Sequence, residues 1–300
     1  MAHFVQPLIR LPHLRHPWAG SEIVHVCGRW GRLKGTDESA RFKEASRQDY
    51  QSAKFNGDFS AAARLVEDCL KRNPTVIDEI IDVLAPFMSS GRQILCAVPH
   101  PSFDDDDGGE IGIANQETPR NVIPSAYASY LAEIIGAEVD DDIVERERIG
   151  RTKLAKFERF LWQPSFTGAV RRDVVYVLVD DVFTLGGTMA AFRSYVVGNG
   201  GTVVLLTALA HQSGKYQPLA LTKKTWDELK TRFGVGLDQF WKDEVGHGAD
   251  CLTEAEGKVL IDWARSEIGT SSGVPILQRL RNCLAETAAK SQQPARAHSG

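Results

Sequence analysis

The stretch VVYVLVDDVFTLGGT at residues 174–188 constrains the fold of this chain more than any other. An unbroken apolar run stops at two adjacent aspartates, Asp180 and Asp181, and a turn rich in threonine and glycine follows. Continuous β-branched runs are typical of strands in a parallel sheet that is covered on both faces. We therefore predict a buried strand that ends at the two carboxylates, then a turn, then a helix from about residue 187 to 197.

The turn after the predicted strand has the composition of an anion-binding loop. In an open parallel sheet, ligands bind outside the carboxyl ends of the strands. The turn leads straight into a helix, so several backbone N–H groups lack intrahelical acceptors and favour a phosphate. Glycines let the anion approach closely, and the hydroxyls of Thr184 and Thr188 can donate further hydrogen bonds. The turn therefore predicts a phosphate site.

The two aspartates need a different partner, because carboxylates repel a phosphate. They suit sugar hydroxyls, which donate hydrogen bonds, or a divalent cation shared with a diphosphate. A ribose 5-phosphate that carries a 1-diphosphate offers phosphate, hydroxyls and diphosphate together. We therefore expect Asp180 and Asp181 to face the sugar or its cation, with the 5-phosphate on the turn.

The stretch VLVDDVFTLGGT resembles the signature with which type I phosphoribosyltransferases bind 5-phosphoribosyl 1-diphosphate (PRPP). The resemblance implies that Asp180 and Asp181 are catalytic, bind the ribose 2- and 3-hydroxyls, and hold Mg²⁺ directly or through hydroxyls and water. It also implies that the rest of the PRPP loop consists of Val182, Phe183, Thr184, Leu185, Gly186, Gly187 and Thr188. Leu185 stands where the family often has threonine, and only its backbone N–H is needed there.

Upstream segments match the order of elements in the same family. AVPHPSF at 97–103 stands where the family has a loop that touches the diphosphate, which implies contacts from Pro99 and His100. A strand cap is the alternative role for His100. A helix over 120–137, with its apolar residues at helical spacing and a glycine stop, and a strand candidate over 141–146 come next.

A basic segment, RERIGRTK at 146–153, then precedes the signature strand. In the family a mobile basic hood stands at this place, and the resemblance implies that Arg148, Arg151 or Lys153 closes over the diphosphate, with Arg148 and Arg151 as catalytic residues. A solvated surface loop is the alternative for this composition. The VPHP run, the helix and RERIGRTK together are most similar to the competence protein F-like (amidophosphoribosyltransferase-like) branch of the family.

The predicted fold class is α/β, with a parallel-sheet core of the type I phosphoribosyltransferase type and mainly helical elaborations at both ends. We divide the chain into a mixed and helical N-terminal extension (1–92), the α/β core (93–215), a helical C-terminal extension (216–290) and a flexible tail (291–300). Helices are predicted near 59–70, 76–88, 222–233, 252–268 and 274–290, with a capping box from Thr253 to Glu256. The aromatic residues of the last zone are assigned to a core, and a base-stacking platform is the alternative.

Composition narrows the function classes. The chain has 300 residues, 43% of them hydrophobic, and a net charge of −4, which argues against a surface that binds polyanions generally. The five cysteines form no C-x-x-C pair and the histidines no H-E-x-x-H motif, which argues against zinc sites. No apolar run is long enough to span a membrane, and the first 18 residues lack a signal-peptide core. We expect a cytoplasmic protein.

Together these features predict a Mg²⁺-dependent phosphoribosyltransferase that moves ribose 5-phosphate from PRPP to a nitrogen acceptor, a nucleobase or a related amine. A PRPP- or nucleotide-sensing regulator without turnover is one alternative, and a nucleoside-processing or hydrolytic enzyme on the same fold is another. The expected partners are small molecules. A homodimer is left open, and the sequence indicates neither a membrane nor a nucleic-acid partner.

Overall fold

The computed structural model describes the protein over residues 15–20, 22–36, 40–99, 121–146, 154–212, 217–267 and 273–291. Three predicted site residues, His100, Arg148 and Arg151, lie outside these ranges, as does Lys153. The roles assigned to them stay predictions.

A six-stranded sheet forms the centre of the described protein. Its strands are β1 (Ile23–Arg29), β2 (Ile94–Ala97), β3 (Glu138–Asp140), β6 (Val175–Phe183), β7 (Thr202–His211) and β8 (Gln217–Pro218). The spatial order is β3-β2-β6-β7-β1-β8, and each neighbouring pair is parallel except β1 with β8. A separate antiparallel pair joins β4 (Val144–Glu145) to β5 (Phe166–Thr167). The predicted α/β class with a mostly parallel sheet is confirmed.

Eleven α-helices occur within the described ranges. They are α1 (Trp30–Leu33), α2 (Ala40–Phe55), α3 (Phe59–Arg72), α4 (Thr75–Ser89), α5 (Ile123–Ile135), α6 (Glu158–Leu161), α7 (Gly187–Gly198), α8 (Lys223–Phe233), α9 (Leu237–Val245), α10 (Glu254–Ser266) and α11 (Ile276–Ser291). The predicted helices all form, as α3, α4, α5, α7, α8, α10 and α11, although α5 begins at Ile123 and not at 120; Gly136 ends α5 in the left-handed conformation. The predicted capping box of α10 is present. No helix in the described ranges is long and apolar enough to cross a membrane.

The burial of β6 explains its unbroken apolar run. Val175, Val177 and Val179 pack with α5 on one face of the sheet, whereas Tyr176 and Leu178 pack with α7 on the other. Because successive strand residues point to opposite faces, a strand covered on both sides needs an apolar residue at every position. The C-terminal helices enclose a third cluster, which buries the aromatic residues assigned to a core: Trp241 and Phe233 fully, Trp226 and Trp263 in part.

Two boundaries differ from the sequence prediction. Strand β6 does not end at the first aspartate but continues through Phe183, because β7 extends far enough to pair Val182 with Ala210 and Phe183 with His211. The aspartates therefore lie inside a strand. The strand predicted over 141–146 forms in part, as β4 (Val144–Glu145), but it pairs with β5 outside the main sheet. The main sheet is joined by β3 just before it, and Asp140 ends that strand by accepting the N–H of Asp142 at 3.0 Å.

The N-terminal part of the chain contributes more to the sheet than the sequence suggested. Strand β1 pairs with β7 inside the central sheet, so residues assigned to an extension complete the core. Helix α2, for which no prediction was made, lies close to the predicted site. The division into domains stays a prediction.

Candidate functional site

The predicted site lies at the carboxyl end of β6, next to β2. Helix α5 follows β2 and packs on one face of the sheet, and α7 follows β6 and packs on the other. Where two neighbouring parallel strands continue into helices on opposite faces of the sheet, a crevice forms at the carboxyl ends of the strands. Open α/β sheets bind their ligands in such a crevice. Ala97, the last residue of β2, pairs with Leu178, two positions before Asp180, and Pro99 just beyond it is buried. Of the first predicted loop, only residues 97–99 are described, and they lie at the carboxyl end of β2 beside β6.

The two aspartates are buried, with only 8% of Asp180 and 6% of Asp181 exposed. Lys54 of α2 forms an ion pair with the Oδ2 atom of Asp181 through its Nζ atom. Asn121, just before α5, donates its Nδ2–H to the same oxygen at 2.9 Å. The Oδ1 atom of Asp180 accepts the backbone N–H of Asp181 at 2.8 Å. A ligand that reaches Asp181 must therefore share this carboxylate with Lys54.

The ion pair fixes the charge state of both partners. Burial raises the pKa of Asp181, but the charge and hydrogen bond of Lys54, with the hydrogen bond from Asn121, outweigh it and leave the pKa below its ordinary value of 3.8. Burial likewise lowers the pKa of Lys54, and the attraction of Asp181 more than reverses this, leaving the pKa above 10.5. At neutral pH the pair is ionised and carries no net charge.

Removal of the Lys54 cation is expected to change how Asp181 titrates. In a Lys54→Met variant burial becomes the dominant influence, so the pKa of Asp181 should rise from below 3.8 to above it. Carboxyl ¹³C shifts followed by NMR from pH 2 to pH 7 measure this directly. Lys71→Met removes an exposed lysine on α3 and should leave the titration of Asp181 unchanged. An unaltered titration in Lys54→Met would contradict the ion pair.

The same pKa shift carries a stability consequence. The folded pKa of Asp181 lies below the unfolded value, so its contribution to folding is complete above about pH 3.8 and is lost as the pH falls through the folded pKa.

The turn between β6 and α7 combines a left-handed glycine with a helix N-terminus. Gly186 precedes the helix with φ 76°, a left-handed conformation that favours glycine. The first intrahelical bond runs from the N–H of Ala190 to the carbonyl of Gly186 at 2.9 Å. The amides of residues 187–189 therefore lack intrahelical acceptors, as at the start of any α-helix. Thr184 is exposed and Thr188 half-buried, so both hydroxyls lie near the surface.

The N- and C-terminal parts of the chain hold this turn in place. Thr253 donates its hydroxyl to the carbonyl of Leu185 at 2.5 Å, and Arg15 donates an Nη2–H to the carbonyl of Gly187 at 3.4 Å. Arg15 also forms a buried two-point ion pair with Glu256 of α10, at 2.6 and 2.9 Å. The predicted phosphate turn is therefore bonded to the C-terminal helices.

Two cations at the site were missed by the sequence prediction. Lys54 contacts Asp181 across 127 positions of the chain, and Arg159 of α6 donates an Nη1–H to the hydroxyl of Thr184 at 3.1 Å. Neither residue belongs to a motif. Only tertiary packing, of α2 on α1 and α3 and of α6 on α11, brings them to the turn, so no local pattern could have identified them.

The donor set of the site suits a metal ion only as part of a larger shell. Among the described residues, no three His, Cys, Asp or Glu side chains lie close enough together to hold a metal ion. Asp180 and Asp181 are two adjacent carboxylates, and one oxygen of Asp181 is already engaged by Lys54. Mg²⁺ commonly binds proteins through one or two carboxylates and takes its other ligands from phosphate oxygens and water. The residues fit that mode.

Comparison with known proteins gives two sequence relatives. Protein TraN of Escherichia coli is 30% identical over 284 residues, a match that covers 93% of this chain and 56% of TraN. An uncharacterized protein of Haemophilus influenzae is 27% identical over 148 residues, covering 49% of this chain and 28% of that protein. The chain therefore spans about half the length of TraN. No protein-family model matches the chain.

Among solved structures, an adenine phosphoribosyltransferase aligns with 49% of this chain and 77% of its own, at 14% identity and a TM-score of 0.25. A TM-score this low supports no conclusion about fold or function. The α/β architecture stands on the sheet order and helix placement described above.

Proposed function

We propose that this chain binds PRPP at the carboxyl end of β6 and transfers its ribose 5-phosphate to a nitrogen acceptor, in the manner of a type I phosphoribosyltransferase. One observation carries the proposal: two buried carboxylates, a left-handed glycine and a helix N-terminus follow one another at the crevice between β2 and β6. The carboxylates accept hydrogen bonds and the amides donate them. A phosphorylated sugar requires both.

In this proposal each part of the segment binds a different part of PRPP. Asp180 and Asp181 accept hydrogen bonds from the ribose 2- and 3-hydroxyls. The amides and hydroxyls of residues 184–188 bind the 5-phosphate at the start of α7, where the helix dipole favours an anion. Pro99 and His100 line the diphosphate. The identity of the nitrogen acceptor is left open between a nucleobase and a related amine.

Catalysis in this proposal rests on the leaving diphosphate. As the bond to the ribose C1 breaks, the sugar becomes oxocarbenium-like and negative charge grows on the diphosphate. Arg148 and Arg151 stabilise that charge, and a fixed acceptor nitrogen attacks from the opposite side. Mg²⁺, held by Asp180 and Asp181 with diphosphate oxygens, would neutralise the same charge when bound.

A PRPP sensor without turnover is the second candidate. The contacts that the turn makes with the C-terminal helices support it. Leu185 and Gly187 are bonded to Thr253 and Arg15, so in this candidate a ligand that moves the turn would also act on the N-terminus of α10. Such a link can carry a binding signal to another surface of the protein.

Release of diphosphate separates the two candidates. With PRPP, Mg²⁺ and a panel of nitrogen acceptors, we expect the protein to release diphosphate with at least one acceptor. An Asp180→Asn/Asp181→Asn variant should be slower by about 100-fold or more, because the sugar loses its anchors. Asp173→Asn, which changes an exposed acid just before β6, is the matched control and should retain the rate. PRPP binding without release for any acceptor would favour the sensor.

A further inference from the structure

Arg159 reaches the turn between β6 and α7 from outside the signature segment. It lies on α6, and its Nη1 atom donates to the Oγ1 atom of Thr184 at 3.1 Å. Its Nε atom donates to the carbonyl oxygen of Leu154, also at 3.1 Å. These two bonds hold the plane of the guanidinium against the turn. The position of the guanidinium is therefore fixed at two points.

The helix that carries Arg159 is itself anchored. Phe160 is fully buried, and its ring packs edge-on against Trp241 at a centroid distance of 5.2 Å. Leu161 is 3% exposed in the same C-terminal cluster. Although α6 is short, these neighbours fix its backbone, and Arg159 projects from a rigid base. A pre-positioned guanidinium loses little conformational freedom when it binds an anion.

The turn itself carries too little positive charge to balance a phosphate. Residues 182–190 contain no lysine or arginine, and two aspartates precede them. A helix N-terminus supplies only about half a positive charge, whereas a phosphate monoester carries about −1.5 to −2 at neutral pH.

The bond to Thr184 also orients a second donor. A hydroxyl that accepts an N–H from Arg159 keeps its own hydrogen for another acceptor. Thr184 is exposed, so that hydrogen can point to an anion seated at the start of α7. A guanidinium carries its N–H groups in one plane, and neighbouring pairs of them match the spacing of two phosphate oxygens.

We propose that Arg159 is a phosphate-binding residue of this site, and that it selects ribose ligands carrying a 5-phosphate over those without one. This inference rests on the proposed function and adds to it a residue outside the PRPP signature. Arg159 supplies the ionic part of phosphate recognition, and the amides of α7 supply the rest.

Calorimetric titration with ribose 5-phosphate and with ribose tests the inference. The variants are Arg159→Met, which removes the charge at similar length, Arg159→Lys, which restores it without the planar fork, and Lys156→Met, which removes an exposed cation three positions away. Arg159→Met is expected to weaken ribose 5-phosphate binding about 10- to 100-fold, which is what a charge-assisted hydrogen-bond pair contributes. Arg159→Lys should recover part of the loss, and Lys156→Met should stay within about twofold of wild type.

The selectivity between the two ligands separates phosphate binding from a structural role. If Arg159 only supports the fold, its replacement should weaken the binding of both ligands equally or leave both affinities unchanged. Either result overturns the inference, while the proposed function stands. If the wild-type protein binds neither ribose 5-phosphate nor PRPP, the proposed function fails and the inference fails with it. A loss confined to the phosphorylated ligand supports the inference.

Discussion

Replacement of Glu256 by alanine is expected to lower the free energy of unfolding by about 3–5 kcal/mol, the usual cost of breaking a buried ion pair from one side. The side chains of Arg15 and Glu256 are each only 1% exposed, and they meet at two points. Without the carboxylate, the guanidinium stays buried beside neutral groups. Its remaining contacts, such as Nε with the side-chain oxygen of Gln163 at 2.8 Å, do not neutralise its charge.

The loss of the Glu256 side chain also removes half of the capping box at the N-terminus of α10. Its Oε2 atom accepts the backbone N–H of Thr253 at 2.9 Å, and the hydroxyl of Thr253 accepts the backbone N–H of Glu256 at 3.0 Å. Urea unfolding of wild type, Glu256→Ala and Asp262→Ala measures the effect. Asp262 is an exposed acid on the same helix, so its replacement should cost less than about 1 kcal/mol. Equal losses in the two variants would show that the buried pair contributes little.

The second large effect is expected at Gly186. A Gly186→Ala variant should lose about 2–5 kcal/mol, the sum of a left-handed backbone penalty and overpacking. With φ at +76°, an added Cβ would lie 2.6 Å from the Cδ1 atom of Leu219 and 2.6 Å from the Cε2 atom of Phe183. Both neighbours are buried side chains and have little room to move. The turn should shift, and binding of phosphorylated ligands should weaken with it.

Gly136 provides the matched control for this substitution. It is also left-handed, with φ +65°, but an added Cβ there meets nothing within 4 Å among the described atoms. Gly136→Ala should therefore cost only the backbone penalty of about 1–2 kcal/mol. Thermal and urea unfolding of the two variants separates the steric part from the backbone part. Equal losses in both would mean that the space around Gly186 is not tight.

Much of the site could be predicted because its signals are local. The apolar run of β6, the glycines after it and the start of α7 are consecutive in the chain, and each has a short-range physical cause. Helix α5 and the capping box at Thr253 follow from the same kind of pattern. The end of β6 could not be predicted in this way, because it depends on the length of β7, its partner in the sheet.

The ionic contacts of the site were not predictable for a related reason. Lys54 and Asp181 are 127 positions apart, and Arg15 and Glu256 are 241 apart. A lysine on an amphipathic helix and an arginine near a proline carry no sign of their partners. Only the tertiary packing of the helices that carry these residues, such as α2 on α3 and α10 on α8, creates these pairs. The sequence therefore predicts the segment that we propose binds the ligand, and the tertiary structure shows which distant residues contact it.

Binding of PRPP in the presence of Mg²⁺, measured by calorimetry, tests the central claim most directly. We expect wild type and the Asp173→Asn control to bind with similar affinity. The Asp180→Asn/Asp181→Asn variant should bind at least about 100-fold more weakly, because the sugar loses two charged acceptors, each worth about 1.5–3 kcal/mol. A wild-type protein that does not bind PRPP, or a double variant that binds it as tightly as wild type does, would contradict the account.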